Sequence, residues 1–220
     1  LAPDLWLAWI KDEQKVMNED SADEKEAITE LFERAVKDYL SVEVWLEYCL
    51  FTMGMPGTST EKIRDVLERA LTAAGLHVTK GALLWTAYRE YEVAVYAGLQ
   101  PAPGSTATEE QQKEIDAQMK RITKLFQRQL SIPLRDMEST YDEYVDWSEA
   151  VDPNIDRAYK AALQKLEKLE PFESNLETST VDQAAAYVEY LDEELKQKDP
   201  SRIQCLFERA VTDKCLETSL

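Results

Sequence analysis

Glycine is scarce in this chain, 6 of 220 residues, and alternating runs of Val, Ile and Thr are missing as well. Together with abundant Glu, Ala, Leu and Lys, this argues against sheets and for an all-helical chain. Histidine is scarcer still: His77 alone, placed in a linker, where a packing or capping role outweighs that of a base or ligand. No P-loop, no G-x-S-x-G and no H-E-x-x-H occurs. The carboxylates are plentiful but solvated, so no acid/base or metal pair can be singled out. No catalytic, cofactor-binding or metal-ligating residue is therefore assigned, no cofactor is expected, and an enzyme is disfavoured. The three cysteines, Cys49, Cys205 and Cys215, are odd in number and form no C-x-x-C pair, which fits reduced thiols. No apolar run approaches the roughly 18 residues of a membrane span, and no signal-peptide pattern opens the chain, so no membrane partner is expected. Basic residues are outnumbered 25 to 43, giving a net charge of -18 and a pI near 4.5. Most of such a surface repels a phosphate backbone, and direct RNA binding by this segment is not expected. A solvated helical surface explains the acidity; a patch for a basic partner is the sharper alternative.

What is present is repetition. Leu31-Phe32-Glu33-Arg34-Ala35-Val36 returns unchanged as Leu206-Phe207-Glu208-Arg209-Ala210-Val211 and nearly so as Val66-Leu67-Glu68-Arg69-Ala70-Leu71. Two degenerate copies lie between, Leu125-Phe126-Gln127-Arg128-Gln129-Leu130 and Ala158-Tyr159-Lys160-Ala161-Ala162-Leu163. Each copy follows a pair of aromatics three residues apart: Trp6/Trp9, Trp45/Tyr48, Trp85/Tyr88, Tyr141/Tyr144 and Tyr187/Tyr190. Two alternating motifs predict a two-helix repeat, A then B. The first aromatics, at 6, 45, 85, 141 and 187, are 39, 40, 56 and 46 residues apart. A period near 40 is too long for ordinary 34-residue tetratricopeptide repeats, and their W-x-x-L-G-x-x-Y pattern is absent.

Punctuation supports this division. Pro3-Asp4 starts the first A helix, and Ser21-x-x-Glu24 has the capping-box pattern for the B helix that follows. Gly54-Met55-Pro56-Gly57 marks a turn between helices, and Gly75 reads as a helix C-cap. The Pro/Gly/Ser/Thr/Ala stretch from Gly98 to Thr108 accounts for the long step and reads as a flexible insertion. Pro171 and the polar residues up to Thr180 read as a connector after a B helix ending near Leu169. Asp199-Pro200 reads as a turn with proline at N1.

An isolated helix pair cannot bury its apolar stripe, so each pair must stack on the next in a curved rod. The A-helix aromatics should pack on the second residue of each B motif: Phe32, Leu67, Phe126, Tyr159 and Phe207. Ala35, Ala70, Ala162 and Ala210 should let helices approach closely. Glu13, Glu92 and Glu194 follow the first aromatic by seven residues, and a bridge to Arg34, Arg128 and Arg209 of the same repeat is inferred. Ser148 and Ala161 remove both members from the fourth repeat, while Thr52 leaves Arg69 in need of another partner. Rings and arginines recurring in a frame are framework, because every repeat cannot be an active site.

The pattern W-x-x-Y-x-x-x-E followed by F-E-R-A resembles the half-a-tetratricopeptide, or HAT, repeat, a family of RNA-processing proteins. Three segments are more specific: Gly75-Leu76-His77-Val78-Thr79-Lys80-Gly81 leading into Leu84 to Glu92, Leu125 to Glu138, and Asp199 to Gln204. They are similar to the N-terminal HAT region of the splicing factors that recycle the U4/U6 small nuclear ribonucleoprotein (snRNP). The insertion at Pro101 to Thr108 departs from that pattern. The resemblance implies an all-α fold, a right-handed α-α superhelix (a TPR-like solenoid) of about five HAT repeats at residues 4–40, 41–74, 82–132, 138–170 and 183–215. It also implies a nuclear, non-catalytic scaffold for snRNP proteins and ubiquitin-specific deubiquitinases, with RNA bound by domains elsewhere and self-association through downstream repeats. The start at Leu1 and the stop near the next expected aromatic read as a piece of a longer array. A HAT subunit of the pre-mRNA 3′-end cleavage machinery is the alternative, which should lack the Gly75 to Gly81 segment; a helical enzyme comes a distant third.

Overall fold

A computed structural model describes residues 1–18, 21–102, 104–178 and 183–214. These form ten α-helices and no strand among the described residues: α1 (Pro3–Val16), α2 (Ala22–Ala35), α3 (Val42–Gly54), α4 (Thr60–Ala74), α5 (Ala82–Leu99), α6 (Glu109–Gln129), α7 (Met137–Trp147), α8 (Pro153–Thr178), α9 (Gln183–Gln197) and α10 (Pro200–Asp213). The order is five A/B pairs, as the alternating motifs predict. No helix among the described residues is long and apolar enough to cross a membrane.

Local chemistry sets the helix starts. The Ser21, Ser41, Ser59 and Thr108 hydroxyls accept from the backbone N–H three residues on, satisfying donors that the first turn leaves open. Asp199 does the same for α10 through Ser201 and Arg202 N–H, with Pro200 at N1. At α2 the capping glutamate reaches further than the box pattern anticipates: Glu24 accepts from Asn18 N–H at 2.6 Å. Gly57 lies at φ 78 in the turn before α4, a left-handed conformation that costs glycine nothing. Gly75 is the C-cap of α4, as the sequence reads it, with its N–H donating to the Leu71 carbonyl, though not in the left-handed conformation usual for a capping glycine. Its φ of -67 is right-handed, and its smallness matters because a Cβ would stand 2.5 Å from the Leu71 carbonyl oxygen.

The chain divides into two compact units, one of Leu1–His77 with Pro171–Leu220 and the other of Val78–Glu170. In the first, α1 packs on α2, α3 on α4 and α9 on α10, while α2 and α1 both meet α3. In the second, α5 packs on α6 and α6 meets α7. Ile122, Phe126, Leu130, Tyr144 and Ile155 form a buried cluster there, flanked by Tyr96, Tyr141, Trp147 and Tyr159. The four motif alanines, Ala35, Ala70, Ala162 and Ala210, are all buried.

Two expectations fail. Pro171 does not end a helix: α8 runs through it to Thr178, so the expected connector is helical as far as the described residues extend. Phe207 is not core but 57% exposed. Its counterpart Phe32 is buried because the following A helix, α3, covers it with Tyr48, and no helix follows α10 among the described residues. Cys49 and Cys205 are free and buried; Cys215 lies outside the described residues.

Candidate functional site

The motif residues assemble into a recurring polar clamp rather than a cleft. Its base is a cation-π contact. The first aromatic of the A helix is the platform, and the arginine of the B motif lies over it: Arg34 over Trp6 at 5.3 Å, Arg69 over Trp45 at 5.5 Å, Arg128 over Trp85 at 5.1 Å and Arg209 over Tyr187 at 5.9 Å. In the fourth repeat Ala161 stands where arginine would, and Tyr141 stacks instead on Tyr159 at 4.1 Å. A ring has taken the place of the guanidinium.

For Arg69 and Arg209 the carboxylate of the clamp comes from the preceding B helix, which supplies the other partner that Arg69 needs and corrects the bridge inferred between Glu194 and Arg209. Glu33 accepts from Arg69 Nη1 and Nη2 at 2.7 and 2.8 Å and from the Tyr48 hydroxyl at 2.7 Å. The same triad recurs further on. Glu173 accepts from Arg209 Nη1 at 2.9 and 2.7 Å and from the Tyr190 hydroxyl at 2.9 Å. Arg209 is therefore held by Glu173 and not by Glu194, which pairs with Arg202 at 2.5 Å inside its own repeat. In the first repeat Glu13 accepts from Trp9 Nε1 at 3.0 Å, and the face of Trp9 carries Arg34 at 5.6 Å. Glu92 is buried and accepts from Gln118 Nε2 at 2.6 Å. Thr52, placed opposite Arg69 by the sequence frame, donates to the Tyr48 carbonyl at 2.8 Å.

Phe172 and Glu173 are the residues that sequence reading passed over. They repeat the Phe32-Glu33 dipeptide, and each glutamate precedes its arginine by 36 residues. Each phenylalanine stacks on the second aromatic of the next A helix, Phe32 on Tyr48 at 5.0 Å and Phe172 on Tyr190 at 5.3 Å. The signal was legible as a spacing, but reading Pro171 as a helix end hid it.

Tyr48, Tyr144 and Tyr190 thus correct the packing expected within a repeat, which Tyr141 on Tyr159 keeps. Phe126, assigned by the sequence frame to Trp85 and Tyr88, meets the ring of Tyr144 on the next A helix at 5.7 Å. Tyr88 itself occupies on α5 the position of Tyr48 on α3, and at 2% exposure it is core, as the aromatic pattern expects. Leu67, the one aliphatic residue at the second position of a B motif, is buried on α4. The stacking geometry explains the difference: the second aromatic lies three residues beyond the first, toward the preceding B helix, while the first faces its own.

Burial grades the two clamps. The Glu173 side chain is fully buried and that of Arg209 is 12% exposed, against 29% for Glu33 and 38% for Arg69. The Arg69 hydrogen bonds hold the Glu33 carboxyl below the usual carboxylate range. Burial, joined by the hydrogen bond to Glu33, pushes the Tyr48 hydroxyl well above its ordinary value. Burial also raises the Cys49 thiol to about 12 and the Cys205 thiol to about 11, which keeps both neutral and unreactive. His77 is buried, and its backbone N–H donates to the Ala74 carbonyl at 3.1 Å. Among the described residues no cluster of three or more His, Cys, Asp or Glu side chains could hold a metal.

An all-helical chain in which a ring, a carboxylate and an arginine recur as joints between paired helices is a helical repeat protein. Residues 3–146 match the family described as the PRP39 N-terminal HAT repeat, and the chain belongs to that HAT-repeat family. Over its whole length it is 45% identical to the zebrafish (Danio rerio) protein named "Spliceosome associated factor 3, U4/U6 recycling protein" and 42% identical to the human protein of that name. The Caenorhabditis elegans counterpart is 25% identical over 97% of the chain. The chain spans 23%, 21% and 25% of the length of these three relatives.

Proposed function

We propose that this chain is a non-catalytic, protein-docking scaffold within a splicing factor that assembles or recycles the U4/U6 snRNP. The observation that carries this reading is its identity of 42–45%, over its full length, to proteins named for U4/U6 recycling. The consumption of the recurrent rings, alanines and arginines in packing supports a framework rather than an active site. The net charge of -18 supports protein rather than RNA as the direct ligand. The repeats proposed are 4–40, 41–74, 82–132, 138–170 and 183–215, the N-terminal part of an array whose RNA-binding domains lie elsewhere. The finer reading adds a nuclear location, recruitment of ubiquitin-specific deubiquitinases and self-association through further repeats.

The test combines two measurements on the chain alone. Gel shifts with U4 and U6 RNA at physiological salt should show no submicromolar binding, while the immobilised chain should retain snRNP proteins from nuclear extract. Submicromolar RNA binding, or an extract from which no snRNP protein is retained, overturns the reading.

A further inference from the structure

We infer that the groove between α5 and α7 is a docking site for a short basic protein segment, with an arginine or lysine set beside Glu90 and Asp146 and an apolar side chain between Val93 and Trp147. The groove encloses about 660 Å³. Glu90, Val93 and Ala97 share one face of α5, and Glu143, Asp146 and Trp147 share one face of α7, because three- and four-residue steps return to the same side of a helix. The three carboxylates and Val93 are exposed, and Trp147 is half-buried.

The one cation on the lining is already neutralised. Arg89 is 3% exposed, covers the Phe126 ring at 4.8 Å, and donates to Glu143 Oε2 at 2.6 Å and to Gln129 Oε1. Glu90 and Asp146 enter no ion pair among the described residues, so the mouth of the groove presents uncompensated negative charge beside apolar surface. That pairing selects a cation with an apolar neighbour. The chain's net charge of -18 repels nucleic acid and a second copy of the chain alike, and draws a basic segment. A lysine or arginine stem can lie along Val93 and Ala97 with its head at the carboxylates. The groove is also preformed. Arg89 pins Glu143, and Tyr96 meets Trp147 edge-on at 5.4 Å, so little side-chain freedom is lost on binding. A groove of this chemistry would take such a segment whichever complex the chain serves.

The test is fluorescence anisotropy of the chain with a short labelled peptide of alternating arginine and leucine. Two comparison peptides carry glutamine for each arginine or serine for each leucine. The arginine-leucine peptide should bind with an affinity that falls as salt rises, and both comparison peptides should bind more weakly. Glu90→Gln combined with Asp146→Asn should weaken it about fivefold, the effect of losing two exposed charge contacts. Glu114→Gln with Glu167→Gln, an equal loss of charge at exposed sites away from the groove, should leave binding unchanged; circular dichroism melts confirm that each variant is folded. Equal weakening by the two double variants, equal binding of the serine peptide, or no binding at all overturns the proposal. A dimer in sedimentation that Val93→Asp splits would assign the face to a second copy and overturn it as well.

Discussion

A guanidinium stacked on a ring and closed by a carboxylate is fixed on two sides, and in this chain a tyrosine hydroxyl locks the carboxylate from a third. Single side chains therefore differ in worth according to whether the next helix covers them. Phe32, fully buried against Tyr48, should cost about 3–5 kcal/mol when cut to alanine, whereas Phe207→Ala should cost under about 0.5 kcal/mol. Urea titrations of the two variants compare these directly. Glu33 carries a pH signature. Its folded-state pKa lies below the unfolded value, so protons bind the unfolded chain better, and its contribution is complete above the ordinary glutamate range and lost as pH falls through the folded value. Melting curves from pH 7 down to about 3.5 should show a shallower acid-side decline for Glu33→Gln than for the parent chain. Parallel curves would remove Glu33 from the linkage.

Helix boundaries were largely legible because caps act locally. Ser21 and Asp199 announce their starts in the sequence, Ser59 and Thr108 cap α4 and α6 by the same local chemistry, and the positive-φ Gly57 marks a turn whose chemistry needs no tertiary context. What was not legible depended on which helix faces which. Glu194 and Arg209 of one repeat sit close in the sequence frame, yet Arg209, like Arg69, looks back to the previous B helix, a relation set by stacking and not by spacing within a pair. Pro171 misled for a related reason: a proline that usually stops a helix is carried inside α8, whose last turns supply Phe172 and Glu173. The end of α9 carries a visible cost. Lys198 takes φ 56, a left-handed position that glycine occupies without a Cβ clash. Lys198→Gly should raise stability by roughly 1 kcal/mol, read as a higher melting temperature. A lower melting temperature would contradict that account of the α9 terminus.

At the scale of the whole molecule, repeats persist as a folded array only if each gains from its neighbour. The clamps supply that gain in a graded way: buried at Glu173–Arg209, half-open at Glu33–Arg69, and lacking both charged members where Gln127 and Ala161 occupy the corresponding positions. The last case is what an interaction between repeats requires, since losing one partner removes the use of the other. The most direct test is a pair of double-mutant cycles sharing Arg209→Gln, one with Glu173→Gln and one with Glu194→Gln, measured by urea unfolding. Coupling of about 2 kcal/mol for Glu173 with Arg209, and under about 0.5 kcal/mol for Glu194 with Arg209, is the predicted result. The reverse order would put the bridge back inside the repeat and contradict the clamp.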